Sequence, residues 1–205
     1  MKAKILAENR FSIRVRRRTY LFRQGGMFSG FYFVLKGQFY LSLHGPDEKE
    51  QLLEFASDGE AMNLRSMNGD NRNKVSATAL CESQVCYFEK ETFHALLNSV
   101  PRLESGIRKL LVAKIEELDN RVRMIGQFSK RKAIAELLLE LFRKFGSQES
   151  RKLNIDISRK EIAGYTGTVP EVVSRILAEM AAKNLLRLEG RKIYFQDLEQ
   201  LQMVI

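Results

Sequence analysis

The chain has 205 residues, 44% of them apolar and 29% charged, with 34 Lys or Arg against 25 Asp or Glu for a formal charge of +9. That is globular rather than disordered composition, at a length that suits one large domain or two compact ones. The longest nearly apolar run, 133–142, is broken by Glu136 and Glu140, and the amino terminus MKAKILAENR lacks the apolar core of a secretory signal, so no bilayer span is expected and the cytoplasm is the expected compartment.

Residues 1–23 carry a net +7. Within them Phe11, Ile13 and Val15 alternate with Ser12, Arg14 and Arg16, which predicts a strand with its arginines on the wet face. Further strands are predicted at FYFVLKG (31–37), QFYLSL (38–43), QLLEFA (51–56), SATAL (76–80) and SQVCYF (83–88), with a hairpin turn at His44-Gly45-Pro46-Asp47. Many short strands with glycine corners argue for a sandwich or barrel-like roll. This middle stretch, 24–100, carries −4, whereas residues 101–205 carry +6, which makes the carboxyl half the one suited to a polyanion. Cys81 and Cys86 are the only cysteines, too few for a disulfide scaffold or a four-cysteine metal site. Their odd spacing points them to opposite faces of a continuous strand and disfavours a bridge between them.

The texture becomes helical at about Glu91. ETFHALLNSV reads as a short helix ending near Pro101. In the longer helix that follows, Leu111, Ile115, Leu118, Val122 and Ile125 recur at intervals of four, three, four and three, an a/d seam. So narrow a seam buries itself against its own chain or a second copy. Its place between two domains, where a two-fold axis would pair both, favours the copy. Ser129 to Phe145 is a third amphipathic helix with Gly146 at its carboxyl cap, followed by the polar tip SQESRK (147–152).

The sharpest signal lies in ISRKEIAGYTGTVPEVVSRILAEMAAKNLL (157–186). Ser158 and Glu161 have capping-box spacing, Ala163 is small enough for close helix approach, Gly167 suits a tight turn, and Pro170 suits a first helical position. Glu171, Ser174 and Arg175 then share one face of the second helix, opposite apolar Val172, Val173, Ile176, Leu177 and Met180. An arginine fork grips O6 and N7 of guanine, a glutamate accepts from cytosine N4, and a serine bonds base or phosphate. The alternative is a surface salt bridge between Glu171 and Arg175, and the helix-turn-helix context favours base reading. After Asn184, read as a left-handed cap, LLRLEGRKIYF predicts two strands about Glu189-Gly190, a wing whose Arg187, Arg191 and Lys192 face phosphates. Thr168 and Lys130, the latter within Lys130-Arg131-Lys132, are further expected phosphate contacts.

On these motifs the whole chain resembles the CRP/FNR family of bacterial transcription regulators. EIAGYTGTVPEVVSRILAEM with GRKIYFQDLEQL is similar to the family's helix-turn-helix and closing segment, GFYFVLKGQFYLSL (30–43) to its roll, and MIGQFSKRKAIAELLLELFRKFG (124–146) to its hinge and first DNA-domain helix. The resemblance implies an α+β protein: a cyclic-nucleotide-binding-like β-roll (1–100), a dimerisation helix (101–126) and a winged helix-turn-helix (127–205). It implies a homodimer on double-stranded DNA, with RNA polymerase as a partner. Glu171-x-x-Ser174-Arg175 looks like the FNR-type subclass, whose half-site core is TTGA-like.

The departures concern the effector. Cyclic-nucleotide binders of the family carry Gly-Glu at the start of a phosphate cassette and Arg-Ser near its end, to hold the ribose hydroxyl and the cyclic phosphate. Here Asn63-Leu64 and Asn73-Lys74 stand in those places, with Lys74 or Arg72 as a source of charge near the second, so control by cyclic AMP is not expected. An iron–sulfur cluster is not expected either, because residues 1–30 contain no cysteine, and His44 and His94 read as surface histidines rather than haem ligands. No metal site or catalytic set appears, so an enzyme is not expected. The rival reading is a small-molecule or redox sensor in which the roll binds an unidentified effector that gates DNA binding.

Overall fold

The computed structural model describes residues 11–45, 49–67 and 69–203. Part of the expected turn after His44 lies outside them. By contacts the chain forms two units, Met1–Glu117 and Leu118–Ile205.

The first unit is built on two four-stranded sheets, ordered β1-β8-β3-β6 and β2-β7-β4-β5. Its strands are β1 Phe11–Val15, β2 Tyr20–Phe22, β3 Gly30–Lys36, β4 Gln38–His44, β5 Glu50–Ser57, β6 Ala61–Met62, β7 Ser76–Ala79 and β8 Ser83–Glu89. Aromatic and β-branched residues on the facing sides, among them Val15, Phe22, Val34, Phe39, Leu41, Val75 and Val85, close into one core between the sheets. All five strands expected from the alternating pattern after β1 are present, while β2 and β6 are too short to show a period.

The first strand departs from its pattern: Phe11 is 59% and Ile13 36% exposed, and only Val15 enters the core. The reason is position. β1 is a terminal strand whose one paired neighbour among the described residues is β8. Cys86 is buried in β8, and Cys81 precedes that strand, half-buried, with its Sγ 3.7 Å from the Ser83 hydroxyl.

Helices α1 (Lys90–Ser99) and α2 (Pro101–Gln127) follow. A second cluster, with Phe28, Phe31, Leu64, Cys86, Phe93, Leu96 and Ile107 at its centre, packs α1 and the first turns of α2 against the roll. Leu110 and Leu111 join this cluster from α2. Further along, Lys114 of α2 sits 2.9 Å from the Glu54 carboxylate of β5, which also lies 3.7 Å from Arg65. Burial draws the Lys114 ammonium down, but Glu54 and Glu117 beside it outweigh burial and hold it above its ordinary value of 10.5.

The second unit is centred on α3, Lys130–Phe145, whose Ile134, Leu137, Leu138 and Leu141 are at most 1% exposed. At about 1.5–3 kcal/mol for each such side chain, this helix is the unit's main hydrophobic contribution. Ser129 caps it by accepting from the Lys132 N–H, as its place in the sequence suggests. Gly146 ends it in an extended conformation (φ −77°, ψ 151°), not a left-handed one. The glycine is there for room, since a Cβ would lie 2.3 Å from the Phe142 ring. Gly146–Ser147 is β9, and it pairs with β10, Lys152–Leu153, so SQESRK is a hairpin tip. The remaining elements are α4 (Arg159–Thr166), α5 (Pro170–Ala182), β11 (Leu186–Glu189), β12 (Lys192–Phe195) and α6 (Leu198–Met203). The third sheet runs β11-β12-β10-β9.

Candidate nucleic-acid interface

Helix α4 starts on a complete capping box: Ser158 Oγ accepts from the Glu161 N–H, and the Glu161 carboxylate accepts from the Ser158 N–H. It stops at Gly167, whose φ of 63° lies in the left-handed region. The Gly167 and Thr168 N–H groups both reach back to the Ala163 carbonyl, turning the chain within three residues. Pro170 opens α5, and Val173, Ile176, Leu177 and Met180 bury one face of it. Val169, the residue before α5, supplies no side-chain cap, which leaves first-turn N–H groups open to an outside acceptor.

A polar cluster anchors α4. Arg121, 5% exposed, donates to the Tyr165 carbonyl (2.7 Å) and stacks 3.6 Å from the Tyr165 ring centre. The Tyr165 hydroxyl donates to the Glu140 carboxylate at 3.0 and 3.1 Å, and burial, followed by the charge of Glu140, pushes the phenol above its ordinary range. Neither Arg121 nor Tyr165 stands out in the sequence, because an isolated basic residue on a helix reads as solvated.

The three base-reading candidates are all exposed on α5. Glu171 reaches solvent, so the alternative Glu171–Arg175 bridge does not form. Arg175 instead pairs with Glu179, one turn further on, with Nη1 3.4 Å from Oε1. The Ser174 hydroxyl donates to the Pro170 carbonyl at 2.9 Å and must turn outward to meet a base. Among the phosphate candidates, Thr168 and Lys130 are half-exposed. Lys130, Arg131 and Lys132 crowd the first turn of α3, the positive end of its dipole, and that turn itself holds no acidic residue. Arg131 is paired with the second oxygen of Glu179.

The wing turns at Gly190-Arg191, with Glu189 paired to Lys192 across it. Its cations differ. Arg187 bonds Glu189 and stacks 4.2 Å over Tyr194, Arg191 lies 3.7 Å from Asp156, and Lys192 is exposed. Asn184 has φ 56°, the left-handed cap expected of it.

Residues 12–100 match the cyclic nucleotide-binding domain family, and residues 132–204 match the Crp-like helix-turn-helix domain family. The chain is 24% identical over 183 residues to the CRP-like cAMP-activated global transcriptional regulator of Mycobacterium tuberculosis, spanning 88% of this chain and 82% of that one. It is 26% identical over 184 residues to the transcriptional activator protein Anr of Pseudomonas protegens, spanning 89% and 75%. The solved structure of FixK2 from Bradyrhizobium japonicum has the same fold, with a TM-score of 0.86 at 17% identity over 95% of this chain and 96% of that one. The chain belongs to the CRP/FNR family of transcription regulators.

Within this CRP/FNR regulator, the residues at the expected cassette positions bond to one another and to the roll. Asn63 and Asn73, which stand at the two ends of the cassette, are buried and bonded to each other, Asn63 Nδ2 to Asn73 Oδ1 at 2.9 Å. Asn63 also donates to the Gly30 carbonyl (3.1 Å) and accepts from Ser66 Oγ (2.8 Å). Leu64, at 9% exposure, belongs to the aromatic cluster under α1 and offers no acceptor to a ribose hydroxyl. The two cations are engaged as well. Arg72 donates to the Gly25 carbonyl at 2.8 Å, and Lys74 pairs with Asp70 at 2.6 Å, which holds that exposed carboxyl below its usual range.

Of the five α2 residues expected to form the seam, four are exposed or half-exposed and the fifth packs against the roll. Ile115 (58%), Val122 (72%) and Ile125 (37%) are exposed, and Leu118 is half-exposed. Leu111 turns to its own roll, so Val112, 57% exposed, takes the outward place instead. The shift by one residue follows from the α1 cluster, which sets the rotation of α2 at this level. No helix among the described residues is long and apolar enough to cross a membrane.

Proposed function

We propose that this regulator is a cytoplasmic homodimer that binds a roughly palindromic duplex with TTGA-like half-sites, without cyclic AMP. Each α5 lies in a major groove, the two copies about one helical turn apart. Arg175 reads a base pair, and Glu171 and Ser174 read beside it. Thr168, Lys130, Lys192 and, more weakly, Arg187 and Arg191 meet phosphates. The α2 stripe Val112-Ile115-Leu118-Val122-Ile125 pairs the two subunits, and RNA polymerase is the downstream partner.

The observation that carries this reading is the division of α5: a fully buried apolar face on one side, and Glu171 and Arg175 projecting to solvent from the other. For independence from cyclic AMP the support is the closed Asn63–Asn73–Ser66 network and the apolar Leu64.

Anisotropy titration of the purified protein on a palindromic TTGA duplex and on a scrambled duplex tests both parts. Preference for the palindrome, lost by about 1–3 kcal/mol in Arg175→Ala, is expected. About 1 mM cyclic AMP is expected to leave both the affinity and the melting temperature unchanged, whereas a ligand at 100 times its Kd would stabilise by about 2.7 kcal/mol. Equal binding of the two duplexes would refute sequence-specific readout.

A further inference from the structure

Glu179 is the one carboxylate on α5 that touches the base-reading arginine, and nothing in the helix-turn-helix pattern assigns it a role. Each of its oxygens holds a different guanidinium: Oε1 is 3.4 Å from Arg175 Nη1, and Oε2 is bonded to Arg131 of α3. Glu179 is about half as exposed as Arg175, with side-chain exposures of 34% and 67%, so the carboxylate is the more restrained end of the pair. Glu179, one helical turn after Arg175, meets it, whereas Glu171, one turn before, does not.

The chemistry of the pair is directional. A guanidinium is planar and rigid, so fixing one N–H group fixes the direction of the others. With Nη1 on Glu179, the Nη2 and Nε groups of Arg175 remain, and these two form a fork of the kind that reads guanine O6 and N7. A carboxylate so close to the groove would also repel phosphates. Arg131, at the positive end of α3, offsets that charge on the side away from Arg175.

We propose that Glu179 is a positioning residue for sequence readout: it orients the Arg175 fork toward the base edge, and Arg131 balances its charge. This rests on Arg175 being a base reader, and the experiment separates the two claims. Binding is measured by anisotropy on a palindromic TTGA duplex, on its single-base variants at every half-site position, and on a random-sequence duplex. The proteins are wild type, Arg175→Ala, Glu179→Gln, Glu179→Asp, Arg131→Met and the double variant Arg175→Ala/Glu179→Gln, each with its melting temperature.

Glu179→Gln is expected to bind the random duplex more tightly, since a negative charge is gone. It is also expected to lose about 2–5-fold of discrimination at the one position where Arg175→Ala loses it. In the double variant no further discrimination is lost. Arg131→Met is expected to weaken all duplexes alike and to keep the discrimination. Glu179→Asp keeps the charge one methylene short and is expected to fall between wild type and Glu179→Gln, which also covers the case where Glu179→Gln folds poorly. A merely structural Glu179 would lower melting and leave the base preferences unchanged. That result, with Arg175→Ala flattening one position, would overturn the positioning role alone. If Arg175→Ala itself leaves every preference intact, base reading by Arg175 fails and the inference falls with it.

Discussion

Removing the Asn63 side chain tests whether the buried amide network holds the cassette in place. Asn63→Ala deletes three hydrogen bonds, to the Gly30 carbonyl, the Asn73 amide and the Ser66 hydroxyl, all in a buried setting. At about 1 kcal/mol for each, the loss is about 3 kcal/mol. Asn63 also has φ 72°. An alanine there adds about 1 kcal/mol of left-handed strain that asparagine tolerates better and glycine avoids. The expected loss is therefore about 4 kcal/mol for Asn63→Ala and about 3 kcal/mol for Asn63→Gly. With about 4 °C per kcal/mol in a unit of this size, differential scanning calorimetry should show the amino-terminal transition falling by about 16 °C and 12 °C respectively. The order is the diagnostic part, because glycine removes more atoms and yet costs less. A glycine variant as unstable as the alanine one would remove the backbone argument. Drops below about 4 °C in both would mean that the network is not a buried latch.

Three further outcomes are expected. Lys114 has a raised folded value, so the stability it confers is complete below its ordinary value of 10.5 and is lost as pH climbs through the higher folded one. Melting measured from about pH 9 to pH 12 should therefore show an alkaline decline that Glu54→Gln makes shallower, and an unchanged decline would remove this ion pair from the account. Arg121→Met, which takes a buried, stacked and hydrogen-bonded guanidinium away from Tyr165, should lower the stability of the carboxyl-terminal unit by about 3 kcal/mol. Arg121→Lys should recover little, since an ammonium cannot stack flat on the ring and donate to the carbonyl together. Lys192→Ala should weaken specific and random duplexes alike and reduce the salt slope by about 1. Arg187→Ala should reduce it by less, because Glu189 already offsets that charge, and equal slopes would contradict this ranking.

How much of this was legible in the sequence depended on the distance between the residues involved. The capping box at Ser158 and Glu161, the turn at Gly167 and the buried face of α5 lie within one or two helical turns, and local rules specify them. The strands from Phe31 to Phe88 showed themselves through alternation, whereas Tyr20–Phe22 and Ala61–Met62 were too short for any period. The exchange of Leu111 for Val112 was not legible, since a heptad count leaves the rotation of α2 free until α1 packs against it. Asn63 and Asn73 could be aligned with the ends of the cassette, but that they bond to each other is a tertiary fact. Arg175 lies four residues from both Glu171 and Glu179, and spacing alone does not choose between them. The structure pairs Arg175 with Glu179, which Arg131 holds from α3.

The two polar clusters differ in how many polar groups they leave for an outside partner. At the cassette, a nucleotide would have to replace three buried hydrogen bonds, about 3 kcal/mol, and would still find Leu64 where an acceptor is needed. On α5, the Arg175–Glu179 pair is exposed and stabilises by about 0.3–0.5 kcal/mol, less than the about 1–3 kcal/mol that a bidentate contact to a base adds to discrimination. In the roll the amide side chains are engaged with one another, whereas on α5 the pairing engages Nη1 of Arg175 and leaves Nη2 and Nε.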